Sequence, residues 1–465
     1  MKSPASVLLE SQRTAFLREG PPSLELRRGH LDALKKAIQG HGDALAEAIS
    51  EDFGHRSRQE TAGLELMPVI RGIGHLQQHL KRWMRPERRE VALAFRPGSN
   101  RVMYQPLGVV GIVAPWNYPV ALALMPLATA LAAGNRVMLK PSELTPATSA
   151  RIGKLLGEIF PADHVAVVTG DAAVAAAFSR MPFDHLLFTG STAVGREVMR
   201  AASVNLVPVT LELGGKSPVI IERGSCLETA ARRIAWGKLA NAGQTCIAPD
   251  YVLVAEEEVA AFLAAFEAAT LTLYPDIAGN PDYTTIVSDR HFQRLSGLVD
   301  DARAKGARIR RIGEGAATTH PRTFLPVLAT QTSDAMAVMQ EEIFGPILPV
   351  ISYQNLDGAV NFINARPRPL ALYFFGPDGP ARRQVLERTI SGGVAINDTL
   401  LHYAQDDLPF GGVGASGMGA YHGREGFRTL SHAKGVFEQS RFNFMNIIRP
   451  PFGQAFERAM KFLSR

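Results

Sequence analysis

The sequence predicts an α/β fold with a parallel sheet covered by helices on both faces, and three observations carry this. From Gly108 onward, short apolar runs such as VVGIVAP, RVMLKP, HVAVVTG and HLLFTGS each end in Gly, Pro or Ser. Helical stretches such as PATSARIGKLLGEIF lie between them, and strands alternating with helices at this spacing build parallel sheets. A second alternation follows LGGKSP at 213–218, with a helix from Leu227 to Asn241 and apolar runs at YVLVA, LPVLA, ILPVISY and LALYFFG. At 465 residues the chain exceeds one ordinary core, so more than one unit is expected.

Ahead of this region, Pro22 to Arg85 reads as helices. Leu24, Leu31, Leu34, Ile38, Leu45 and Ile49 recur at helical spacing, with Arg, Lys and Asp between them. Between Arg88 and Pro106, VALAF and RVMYQP split by PGSN predict two strands and a turn, too small to fold alone. The end of the chain is glycine-rich to Gly426, β-prone at GVFEQ and then basic.

Composition narrows the function. An apolar fraction of 46% with 20% charged residues is that of a soluble globular protein. The formal charge of +6 is modest, and no Lys/Arg run interleaves with aromatics, so no nucleic-acid partner is expected. The two cysteines, Cys226 and Cys246, form neither a disulfide framework nor a zinc spacing; a reducing cytoplasm is expected, and no metal. The first residues lack the continuous apolar stretch of a signal peptide. Val102 to Asn135 carries one greasy, nearly uncharged segment, but prolines at 106, 115, 119 and 126 break it. The runs between breaks are too short for a bilayer, so no membrane span is expected.

Four segments could carry chemistry. In NAGQTCIAPDYVLV a helix ends, Gly243 breaks it and a strand begins, which puts Cys246 in a loop. There it is either a small buried hydrophobe or a nucleophile open to substrate. In PVTLELGGKSP, Val207, Val209, Leu211 and Leu213 alternate, so Glu212 faces the other side at the strand's end. It is either a solvated carboxylate or a general base. HLLFTGSTAVGREVM is a strand, a sharp turn and a helix start, where Ser191 and Thr192 either cap the helix or meet phosphate oxygens. In VAPWNYP, prolines on both sides restrict the loop that carries Trp116 and Asn117.

Together these segments resemble the aldehyde dehydrogenase superfamily, in family order and over nearly the whole chain. The signals are PWNYP at 115–119, KPSE at 140–143, FTGSTAVG at 188–195, LELGGKSP at 211–218, GQTC at 243–246, EEIFGPILPV at 341–350 and PFGGVGASGMG at 409–419. The short amino-terminal region and NDTLLHYAQDDLPFGG are similar to the class-three branch and its coniferyl aldehyde dehydrogenase-like group.

The resemblance implies a Rossmann-like cofactor-binding domain (1–87 and 107–213), an α/β catalytic domain (214–411), and oligomerisation strands (88–106 and 430–447). A basic tail (448–465) follows. It also implies a homodimer, in which those strands extend a neighbour's sheet. Cys246 would attack the aldehyde, the Asn117 side chain and the Cys246 N–H would hold the oxyanion, and Glu212 would activate water against the thioester. Glu212 is typically absent from relatives that acylate coenzyme A, so its presence favours the free acid.

For the cofactor, the resemblance implies Pro115, Trp116, Gly190, Ser191, Gly195 and Leu213 along the dinucleotide. Lys140 and Glu143 would lie at the adenosine ribose, and Glu342 and Phe344 at the nicotinamide side. A carboxylate at 143 favours NAD, and Lys140 leaves NADP open. Tyr118, Leu400, His402 and Tyr403 would wall the pocket of an aromatic or medium-chain aldehyde. The competing readings are a semialdehyde or coenzyme A-acylating enzyme, a non-catalytic relative, and a cysteine hydrolase using His185 or His402.

Overall fold

A computed structural model describes residues 3–313, 320–442 and 449–463. The expected positions 443–447 of the late strand segment, and 448 and 464–465 of the tail, lie outside the described residues.

The amino-terminal region is helical, as Pro4–Glu19, Leu24–Gly40, Gly42–Phe53, Arg58–Thr61 and Met67–Trp83. Leu31, Leu34, Ile38, Leu45 and Ile49 are fully buried, as their spacing predicts. One feature has no signal in the pattern: a π-helical turn, Ala62–Leu66, precedes Met67–Trp83. These helices pack on the first sheet's helices with capping across elements. Asp52 accepts from the Ala147 and Thr148 amides (3.0 and 2.8 Å) and from the Thr148 hydroxyl (2.7 Å), at the start of helix Pro146–Ile159. Asp52→Ala is therefore expected to lower unfolding free energy by about 1–2 kcal/mol, read from denaturant titration.

The first sheet has six strands in the order Gly417–Met418, Val209–Leu213, His185–Gly190, Val109–Val113, Arg136–Lys140, Val165–Val167. All pair in parallel except Gly417–Met418, a late return of the chain that sets Gly417 opposite Glu212. Val109–Val113 starts at the centre. The next two strands build to one side and the following two to the other. The order thus reverses between Val109–Val113 and His185–Gly190, and ligands of such sheets bind beyond the carboxyl ends at that crevice. Pro115–Asn117 and Ser191 follow those two strands. The greasy segment is helix Ala121–Ala133, buried along its whole length and ended by Gly134 at φ +92°. Among the described residues no helix is long and apolar enough to cross a membrane.

The second sheet has seven strands in the order Arg308–Arg311, Val327–Thr330, Ile347–Tyr353, Tyr251–Ala255, Pro218–Ile221, Ala371–Phe375, Gly393–Ile396. All are parallel except the first. The loops carrying Cys246 and Glu342 enter Tyr251–Ala255 and Ile347–Tyr353 from their amino ends. A site at the carboxyl ends, the general rule for such sheets, is thus met only by the first sheet. The second sheet turns its amino edge toward the first sheet's carboxyl edge, and the chemistry lies between.

A third sheet has three strands, Glu87–Arg89, Ser99–Pro106 and Ser431–Glu438, all antiparallel. The expected strand at VALAF is absent: Leu93–Phe95 is a turn of 3-10 helix, and Leu93 is exposed. Pairing runs from Glu87 opposite Val102 to Arg89 opposite Asn100, so the reversal takes up VALAF with Pro97 and Gly98, while Ser99 and Asn100 already belong to the next strand.

Candidate active site

Two cavities meet at Cys246. One, about 770 Å³, lies over the first sheet's crevice, and the other, about 630 Å³, opens on the opposite side. Cys246 and Leu122 line both.

Helix Leu227–Leu239 ends in a tight turn in which Asn241 and Ala242 take φ of +52° and +51°, followed by Gly243 at +75°. Gly243 is required there, since a Cβ would lie 2.4 Å from the Gly345 carbonyl. This folds the chain back so that Gln244 is buried and fully used: its side chain donates to the Asn241 and Thr285 carbonyls and accepts from the Val287 amide. The Asn117 amide nitrogen donates to the Gln244 carbonyl at 3.1 Å, two residues from Cys246. Asn117 and Cys246 are thereby drawn together from different sheets. Tyr118, next along, bonds Thr245 through its hydroxyl at 2.8 Å.

Glu212 lies in the larger cavity, 3% exposed, and neither carboxylate oxygen has a partner among the described residues. The solvated-carboxylate reading of its strand is excluded by that burial. Burial also holds its carboxyl well above the usual range. The Cys246 thiol is pushed up to about 12, first by burial and then by the Glu342 and Glu212 carboxylates. A pair of buried, uncompensated acids at one cavity joint is what functional sites, rather than cores, contain.

Pro115, Trp116, Gly190, Ser191, Leu213, Glu342 and Phe344 line the larger cavity, as expected. Ser191 caps helix Thr192–Ser203 by accepting from the Val194 N–H, and with Thr192 and Ala193 it lines the cavity. Phe344 meets Trp116 edge-on at 5.3 Å, and His291, missed in the sequence, packs on the same ring at 4.9 Å. Glu342 is half-buried with its carboxylate against Gly214, where a Cβ would collide with it, and desolvation raises it to about 8.

Three expected residues are placed differently. Gly195 packs helix to strand, its missing Cβ leaving room for Leu213, and it does not line the cavity. Lys140 and Glu143 pair with each other at 2.6 Å at the end of strand Arg136–Lys140, outside the cavity lining. Glu143 is the exposed member.

The larger cavity suits a dinucleotide. Arg196 and Arg368 line it together with Lys216, Arg294 and Arg366, which pair with Asp250, Glu341 and Asp334, and the start of helix Thr192–Ser203 offers its amides to a pyrophosphate. Thr189 Oγ1 and Glu342 Oε1, also on its walls, are buried without a hydrogen-bond partner among the described residues. Among the described residues no cluster could hold a metal ion.

The smaller cavity carries Tyr118, Leu400 and Tyr403 as expected, together with Trp236, Tyr274, Leu64 and Met67. His402 does not line it; its ring packs beside Tyr373 and Phe410, 5.9 and 6.1 Å away. His185 is bonded to Thr210 at 2.9 Å within the sheet and is structural. Neither histidine is a partner for Cys246, which removes the cysteine-hydrolase reading.

A switch-point crevice under one cavity, and a second cavity that meets it at a single cysteine, form the kind of site that a nucleotide-dependent oxidoreductase has. The aldehyde dehydrogenase family model matches residues 11–436, and the chain belongs to that family. It is 53% identical over 452 residues to a protein of Pseudomonas aeruginosa named "Probable coniferyl aldehyde dehydrogenase", covering 97% of this chain and 94% of that one. It is 48% identical to the coniferyl aldehyde dehydrogenase of Pseudomonas sp. strain HR199, covering 96% and 93%. Among solved structures, Staphylococcus aureus AldH in a substrate-bound state superimposes with a TM-score of 0.93 at 38% identity, over 99% of this chain and all of that one.

Proposed function

We propose that this chain oxidises an aromatic aldehyde of the coniferaldehyde type to its free acid, with NAD as the preferred acceptor. The carrying observation is that, among the described residues, Cys246 alone of the nucleophilic side chains lines both cavities, with Glu212 buried in the larger one.

The aldehyde enters the smaller cavity, whose Tyr118, Trp236, Tyr274 and Tyr403 suit a planar ring. Cys246 attacks the carbonyl carbon, and the oxyanion forms against the Asn117 amide and the Cys246 N–H. Only one of the Asn117 amide hydrogens is engaged by Gln244, which leaves the other for the oxyanion. NAD, when bound, supplies the two-electron acceptor. Ser191, Thr192, Pro115 and Trp116 would hold it on one side and Glu342 and Phe344 on the other, with Gly190 and Leu213 between them, while Lys140, Glu143 and Gly195 stand outside the lining. Glu212 then takes a proton from the water that cleaves the thioester.

The support for a cytoplasmic homodimer is the pair of free cysteines and the open edge of Ser431–Glu438, which can continue a neighbour's sheet. The test is reduced-nicotinamide formation by purified protein with NAD or NADP and coniferaldehyde, benzaldehyde, a medium-chain alkanal or succinic semialdehyde, with and without coenzyme A. Coenzyme-independent turnover, fastest with the aromatic aldehydes and NAD, is expected. Preference for succinic semialdehyde, or dependence on coenzyme A, overturns the substrate or the hydrolytic reading respectively.

A further inference from the structure

Two charged residues buried behind the catalytic loop line neither of the two cavities that meet at Cys246. The Arg56 side chain is fully buried, as is that of Glu65, and the two are paired at 2.7 Å. Glu65 lies in the π-helical turn Ala62–Leu66. Its second carboxylate oxygen accepts the amides of Val120 and Ala121, at 2.7 and 3.0 Å, where helix Ala121–Ala133 begins. Arg56 Nη1, besides its bond to Glu65, donates to the Asn117 carbonyl at 3.3 Å, and the guanidinium lies 4.8 Å from the centre of the Tyr118 ring. The pair therefore grips the chain on both sides of the Asn117–Tyr118 step.

Glu60 does the same for the opposite wall. It accepts from the Asn241 amide, while Asn241 in turn donates to the Asn117 carbonyl at 2.9 Å. Glu60 also lies 3.9 Å from Arg56 Nε. Three charged residues on consecutive pieces of the amino-terminal region thus converge on the one place where the two sheets must be held in register.

Such a cluster is a poor way to stabilise a core. A buried ion pair roughly breaks even against an apolar replacement, and here Arg56 Nε and Nη2 have no hydrogen-bond partner among the described residues. Its distinctive property is directional. Arg56 fixes the Asn117–Tyr118 peptide plane and Glu65 the two peptide planes that follow Pro119, and a catalytic group misplaced by about 1 Å can cost about 10²-fold in rate. A π-turn adds one residue to a helix and re-aims the side chains around it, which is what swings Glu65 inward to these amides.

We propose that Arg56 and Glu65 are positioning residues of the aldehyde oxidation. They hold the Asn117 amide against the Cys246 loop from behind, without touching substrate or nucleotide. The inference rests on the assignment of Asn117 as the oxyanion donor.

The test is a double-mutant cycle read in the first turnover, with NAD and coniferaldehyde. Arg56→Lys keeps the charge but not the fork. It is expected to slow the burst of reduced nicotinamide by about 10-fold or more, while aldehyde KM and NAD affinity stay within about threefold. In an Asn117→Ala background the same change is expected to cost less than about threefold, because residues acting through one group are not additive. Glu65→Gln, which keeps shape and one acceptor oxygen, should behave the same way and guards against a folding failure of the arginine variant. A normal burst in both variants, or an undiminished cost in the Asn117→Ala background, overturns the brace. If Asn117→Ala itself leaves the burst intact, the oxyanion assignment falls, and the brace with it.

Discussion

Cys246→Ala is expected to abolish aldehyde oxidation, with kcat falling by at least about 10⁴-fold, because Cys246 is the one thiol among the described residues lining either cavity. Cys226→Ala, by contrast, leaves kcat within about twofold. The two thiols differ in every respect that matters. Cys226 is exposed at the start of helix Leu227–Leu239, beside Thr229 and Glu228 at 3.3 and 3.5 Å, and it lines neither cavity. Cys246 is reached from both. Its raised pKa adds a second expected result. With the thiol held at about 12, the thiolate is a minor form at neutral pH. The thiolate is the attacking species, so the first-turnover rate should climb as pH rises through the neutral and alkaline range. Stopped-flow detection of reduced nicotinamide in both variants and across pH checks this. A dead Cys226 variant with an active Cys246 variant would move the nucleophile.

What was legible in the sequence, and what was not, divides along physical lines. The strand-helix alternation placed the parallel strands of the first sheet and four of those of the second, as short apolar runs, but not Pro218–Ile221 or Gly393–Ile396, which the sequence reading does not mark as strands. The residues touching the crevice were also legible, because sharp turns such as Gly190–Ser191 and the Gly243 reversal need particular residue types. Contacts made across the chain left no trace. Trp236 reaches the substrate cavity from a helix whose periodicity shows only its packing face. Arg56 meets Asn117 from 61 residues away in sequence, and Glu65 meets Val120 from 55. Glu65 is further hidden by the π-turn, which breaks the period by which its inward face could be read. VALAF misled for the opposite reason: its β-branched and aromatic residues suit a strand, but the neighbouring register leaves them no partner.

Glu212→Gln separates the two halves of the reaction. The first burst of reduced nicotinamide should stay within about threefold of the parent, while steady turnover falls by about 10²–10³, since a positioned base contributes on that order. The substitution is isosteric. It disturbs no hydrogen bond, because both Glu212 oxygens lack a partner among the described residues. The pH dependence sharpens the assignment. Burial raises the Glu212 pKa well above the ordinary carboxylate value, so the neutral acid prevails below it and the base form grows as pH increases. Steady turnover of the parent should therefore rise with pH through that raised value and level off beyond it. The variant, having no group to ionise there, should lose that limb while its burst keeps the dependence set by Cys246. Glu342, raised to about 8 in the same cavity, is the competing base. If the limb survives in Glu212→Gln and vanishes in Glu342→Gln, the water is activated by Glu342. Equal loss of burst and steady rate in Glu212→Gln would instead place Glu212 before the thioester, in the attack by Cys246 itself.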